Sequence, residues 1–216
     1  MTARSFTIAG LALCVAACTT GQGEGSVRSD RLYVENCWNG AFDLKPEFFG
    51  ANPFRDEAIL IRIQRDDDIQ EVSDGVTVLV NDPALIRGNG DDPGLLGQDI
   101  SVGLPPGVSP PGVPVGDRGA APLVSLSLYL HDTCHVQNGT LYSIGGSINF
   151  TSLFSGDINE AAADDRLTEA DFSATFADPR DLLEGTDAAA DPNVVSLVEG
   201  NFRFFFQRGQ PAQPFP

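Results

Sequence analysis

The densest run of reactive side chains is His131-Asp132-Thr133-Cys134-His135. Its two histidines are the only ones in the chain. On a helix, a histidine pair at i and i+4 faces one ligand, as in zinc enzymes. The residues before them alternate like a strand, which places the two rings about 13 Å apart on one face. A break at Asp132-Thr133 would fold them together. No Glu-x-x-His and no second Cys-x-x-Cys accompanies them, and no Gly-x-Ser-x-Gly elbow supplies a nucleophile. A metal-dependent or other hydrolase centred on His131 and His135 is therefore the alternative reading. The expectation is a protein that is not an enzyme and has no catalytic residue.

Oxygen ligands are grouped in two further places. Asp66, Asp67, Asp68, Glu71 and Asp74 form one cluster, and Asp91, Asp92 and Asp99 form another. Carboxylates on loops suit Ca2+. Asp66, Asp68, Asp91 and Asp92 are the side chains that a calcium-binding adhesion or recognition module would use. The Asp-x-Asp-x-Asp-Gly spacing is missing, so the expectation is no cofactor, with calcium as the alternative. Residues Asp157 to Asp191 carry eleven acidic side chains against Arg166 and Arg180. Such a run serves solubility, or docks onto a basic partner.

The whole chain has 216 residues, 13 basic and 30 acidic, for a net charge of −17. Leu, Ile, Val and Phe make up 60 of the 216, about 28%, which is enough for a folded core despite the charge. The acidity excludes nucleic acid, which needs a basic face to displace counterions.

The first residues form an address. Arg4 precedes an apolar run, Phe6 to Ala17, that is too short to span a bilayer. It ends in Val15-Ala16-Ala17-Cys18. This tetrapeptide resembles the lipobox of bacterial lipoproteins. The resemblance implies cleavage before Cys18, lipid on its thiol and acylation of the new amino terminus. Thr19, in place of Asp, implies the outer membrane. Cys14 fits less well, because Leu13 precedes it. The expected organisation is a signal peptide over 1–17, a lipidated flexible tether over 18–29, and one domain over 30–216. The expected partners are the membrane, through Cys18, and an envelope protein or surface ligand. Cys37-Trp38-Asn39-Gly40 and the ending Gln210 to Pro216 are also similar to segments of bacterial lipoproteins with no assigned activity, and that similarity implies no chemistry.

With Cys14 removed and Cys18 lipidated, Cys37 and Cys134 remain. In an oxidising compartment they are expected to form a disulfide. Cys37-Trp38-Asn39-Gly40 reads as a strand end followed by an Asn-Gly turn, with the indole over the disulfide.

The elements that position these residues have a period of two. Arg31–Cys37, Ala58–Arg65, Gly75–Asn81, Leu123–His131, Thr140–Phe150, Leu167–Phe176 and Val194–Gln207 alternate apolar with polar. Half-buried antiparallel strands give that pattern. The predicted class is all-β: an antiparallel β-sandwich, Greek-key or jelly-roll-like, with one or two short helical turns. Asp82-Pro83 to Gly88 has the cap, Pro and Gly of one such turn. Residues 88–122 hold a near-repeat of Pro-Pro-Gly-Val and read as a long polyproline-like loop. It is either a recognition surface or a cover over the sheet. The Phe row of 194–207 is a candidate edge strand.

Overall fold

The structure is a computed structural model that describes residues 23–54, 57–67, 73–89, 91–114, 120–135, 139–183 and 190–207. Cys18 and Asp68 lie outside these residues. Ten strands form: β1 (Gly23–Val34), β2 (Trp38–Leu44), β3 (Phe48–Phe54), β4 (Ala58–Gln64), β5 (Gly75–Val80), β6 (Asp99–Ser101), β7 (Val124–Tyr129), β8 (Thr140–Ser152), β9 (Leu167–Ala177) and β10 (Ser196–Phe205). Among the described residues, two short helices, α1 (Pro83–Arg87) and α2 (Ala163–Arg166), and a single 3-10 turn (Pro179–Asp181) accompany the strands.

One antiparallel sheet runs in the order β2-β1-β10-β9-β8-β7-β5-β4-β3, with β6 added against β8. The all-β, sandwich-like class is what forms. The sheet curls until Phe49 of β3 meets Phe204 of β10, their ring centroids 6.0 Å apart. Chain neighbours are sheet neighbours, except that β2 and β3 sit at opposite edges, β6 leaves the path between β5 and β7 to pair with β8, and β10 returns beside β1. The strand order along the sheet is that of a curled antiparallel meander.

The period-two reading explains the core. Ile59, Ile61 and Ile63 of β4, Val76, Val78 and Val80 of β5, and Phe202 and Phe204 of β10 are all buried on the concave face. Asp82 caps α1 by accepting from the Leu85 N–H (2.9 Å). Ser143 fills the fork where β8 leaves β7 for β6. Its Oγ accepts from the Leu126 N–H and donates to the Gly103 carbonyl, both at 2.9 Å.

Several expectations are corrected. The tether cannot extend to residue 29, because Gly23 to Ser29 already belong to β1 and pair with β10 and β2. The glycines there give room rather than flexibility: a Cβ on Gly25 would lie 2.6 Å from the Asn201 carbonyl oxygen. The folded domain therefore already includes Gly23 to Ser29. The turn near Cys37 is Glu35–Cys37, with Asn36 at φ 56°, and Asn39-Gly40 lies inside β2. The indole N–H of Trp38 donates to the Gly40 carbonyl (3.3 Å). The Phe-rich strand β10 is central, between β1 and β9, so it is not an edge.

The proline segment is a cover. Ile100, Val102 and Leu104 are buried, and β6 pairs with β8. Each Pro-Pro-Gly-Val unit closes a β-turn, Val108 N–H to Pro105 and Val113 N–H to Pro110, both at 3.2 Å. Gly107 and Gly112 have φ of 87° and 76°. Proline at the second position and positive φ at the third define type II, so these are turns and not a polyproline helix.

Candidate functional site

The site is assembled around the bond between Cys37 and Cys134, whose Cα atoms are 5.8 Å apart across 97 positions of sequence. Cys37 ends the β1–β2 turn. Cys134 sits in the turn 131–135 that follows β7. Gly139 packs on Cys134: a Cβ there would stand 3.2 Å from the sulfur.

The turn that carries Cys134 is held by a buried carboxylate. Asp74 has no exposed surface. Its Oδ1 accepts from the backbone N–H groups of Asp132 (2.9 Å) and Thr133 (3.0 Å), and its Oδ2 accepts from the Thr133 hydroxyl (2.5 Å). Arg65 lies 3.4 Å from the same carboxylate. Asp74 is therefore a structural anchor rather than a free ligand for calcium. The Asp132 carboxyl is pushed up by partial burial and then by the charges of Asp74 and Asp66.

Beside this turn, an arginine occupies a strand position that alternation assigns to solvent. Arg62 is 2% exposed. Its Nε donates to the Tyr129 hydroxyl (3.1 Å) and its Nη2 to Gln64 Oε1. The guanidinium carbon lies 5.8 Å from the Phe48 ring centre and 6.0 Å from that of Tyr129, a spacing at which both rings attract the cation. Gly75 makes this possible: a Cβ there would stand 2.5 Å from the Tyr129 oxygen. Burial pushes the Tyr129 phenol up, with Arg62 opposing the shift. The sequence gives no sign of this cluster.

The two histidines lie in the turn that follows β7. His131 is half-buried with its ring edge-on to Tyr129, centroids 5.9 Å apart. His135 is exposed, and its Nδ1 lies 3.2 Å from the Asp132 carbonyl. Both sit in one turn, so the shared strand face expected of them does not exist. Asp66 is exposed. Asp91 and Asp92 are exposed in a loop whose Asn89 Oδ1 accepts from both of their N–H groups (3.2 Å each), and Asp92 Oδ1 accepts from the Gly94 N–H (3.0 Å). Among the described residues, no three His, Cys, Asp or Glu side chains stand together as a metal ion would require.

An open cleft of about 670 Å³ is lined by Glu35, Asn36, Thr140, Tyr142, Asp178, Pro179 and Arg180. Asn36 precedes Cys37, and Thr140 follows Gly139, so the crosslink fixes two of its walls. Arg180 grips Asp178 through Nε (3.0 and 3.1 Å) and Nη2 (2.5 Å), and the Arg180 N–H adds a bond of 2.8 Å. Burial pushes the Asp178 carboxyl up, but these contacts outweigh it and hold it below its ordinary value. Burial and then the Asp178 charge push the Tyr142 phenol up, so at neutral pH it is a hydrogen-bond donor. The neighbouring Asp181 is raised by burial, then by Asp178 and Glu35. The described lining holds no histidine, cysteine or serine. It offers donors and acceptors to a polar ligand and no nucleophile–base pair of the Ser–His or Cys–His kind. The lining comes from three separate parts of the chain, with no local motif to mark it in the sequence.

No protein-family model matches the chain, and neither a curated protein sequence nor a solved structure is significantly similar to it. Among the described residues, no helix is long and apolar enough to cross a membrane.

Proposed function

We propose that the protein is a lipid-anchored envelope protein of the outer membrane, held through Cys18, whose folded domain has a non-catalytic binding or structural role. The observation that carries this reading is the Cys37–Cys134 bond. Disulfides persist in oxidising compartments and are rare in the cytosol. The bond therefore agrees with the export signal read from residues 1–18. The make-up of the cleft supports binding over hydrolysis, because its lining offers hydrogen-bond donors and acceptors and holds no histidine, cysteine or serine. Two or more acyl chains would hold the domain stably, where one would not.

The test is metabolic labelling with a fatty-acid analogue in cells that express the full chain. The protein should take up label and enter the membrane fraction, and Cys18→Ser should abolish both. Label that survives Cys18→Ser, or no label at all, contradicts the anchor.

A further inference from the structure

We infer that the start of β1 faces the lipid surface and that the disulfide cleft points away from it into the water. This rests on the lipid anchor at Cys18 and extends it to the orientation of the domain. Four residues separate Cys18 from Gly23, and the five Cα–Cα steps reach at most about 18 Å. Gly23 is no loose end: it pairs with Phe204, Glu24 with Arg203, and Gly25 with Phe202. The fold is thus tied to the bilayer at one fixed point.

From that point β1 runs 12 residues to Val34. At about 3.3 Å per residue its far end is some 35 Å away. That far end carries the Glu35–Cys37 turn, two lining residues of the cleft, the disulfide and Trp38, the single tryptophan of the chain.

Charge draws neither end onto an anionic bilayer. Beside the anchor, Arg203 stands opposite Glu24 on one side and Glu169 on the other, and Arg28 pairs with Glu199 at 2.9 Å. This outer face alternates in sign and has no basic excess that would draw it flat onto anionic headgroups. At the cleft end, Glu35, Asp178 and Asp181 outnumber Arg180, which an anionic surface repels. The cleft is therefore presented to a water-borne ligand rather than to the bilayer that anchors it.

The experiment uses the lipidated mature protein in phosphatidylcholine vesicles that carry a dansyl-headgroup lipid. Energy transfer from Trp38 is compared with that in Trp38→Phe/Glu24→Trp, whose probe replaces a side chain 80% exposed. Trp38→Phe/Glu169→Trp is a second probe near the anchor. The expected result is loss of most emission from the probes at 24 and 169 and retention of most emission from Trp38. Equal loss at both ends, or greater loss at Trp38, overturns the orientation alone. Failure of the wild-type protein to float with the vesicles overturns the anchor and the orientation together.

Discussion

Asp74 and Thr133 are joined by two hydrogen bonds, backbone N–H to Oδ1 at 3.0 Å and hydroxyl to Oδ2 at 2.5 Å. A buried carboxylate at the start of β5 thus sets the turn that carries Cys134. Asp74→Ala would leave the Asp132 and Thr133 N–H groups without this acceptor. Hydrogen bonds to charged groups contribute roughly 1.5–3 kcal/mol each, so a loss of about 3 kcal/mol or more is expected in urea unfolding of the oxidised protein. Thr133→Val, which removes one such bond, should cost about 1.5–3 kcal/mol. A change within error for Asp74→Ala would contradict the anchoring role.

Asp132 gives a pH prediction. Its carboxyl is raised in the folded state by partial burial and by Asp74 and Asp66. A raised folded value means that ionisation opposes folding. The group's favourable contribution is therefore present below the ordinary aspartate range and is lost as pH rises through the folded value. Asp132→Asn should be more stable than wild type at pH 7 and equal to it near pH 3. Thermal unfolding at the two pH values checks this, and a variant less stable at pH 7 would contradict it.

The crosslink closes 97 positions. In the chain-entropy model, a loop near that length contributes about 4–5 kcal/mol. Cys37→Ala/Cys134→Ala should fall by that order in denaturant unfolding. Hydrogen exchange should rise first in the 35–37 and 131–135 turns, since the cleft walls hang from them. Uniform exchange across the sheet would show that the bond does not hold those walls.

Arg62 is buried between Phe48 and Tyr129. Breaking a buried charged network costs about 3–5 kcal/mol. Arg62→Ala is expected in that range, and Gly75→Ala should also destabilise by pushing the Tyr129 ring off the guanidinium. Tyr129→Phe should remove one phenol that ionises above its ordinary range, because burial raises it. Absorbance titration of wild type and Tyr129→Phe reads that loss. An unchanged high-pH step would contradict the burial of Tyr129.

The seven alternating runs were legible because one apolar face per strand is what a curled sheet needs. β2 and β3 were not. Trp38–Leu44 includes Asn, Gly and Asp, and Phe48–Phe54 includes Gly and Pro, all poor strand formers. Both are edge strands, and an edge tolerates Pro53. The first half of β1 reads as linker, because its glycines serve close approach to β10. The disulfide was legible from cysteine counting. The cleft was not, because Glu35, Thr140, Tyr142, Asp178 and Arg180 meet only through the sheet. Arg62 and Gln64 follow the polar alternation of β4, and only tertiary packing buries them.

The most direct measurement is the intact mass of the protein extracted from the envelope. An amino terminus at Cys18 bearing acyl chains is expected, with the mass two hydrogens below that of the reduced chain because Cys37 and Cys134 are joined. An unacylated amino terminus, or free thiols at Cys37 and Cys134, would contradict it.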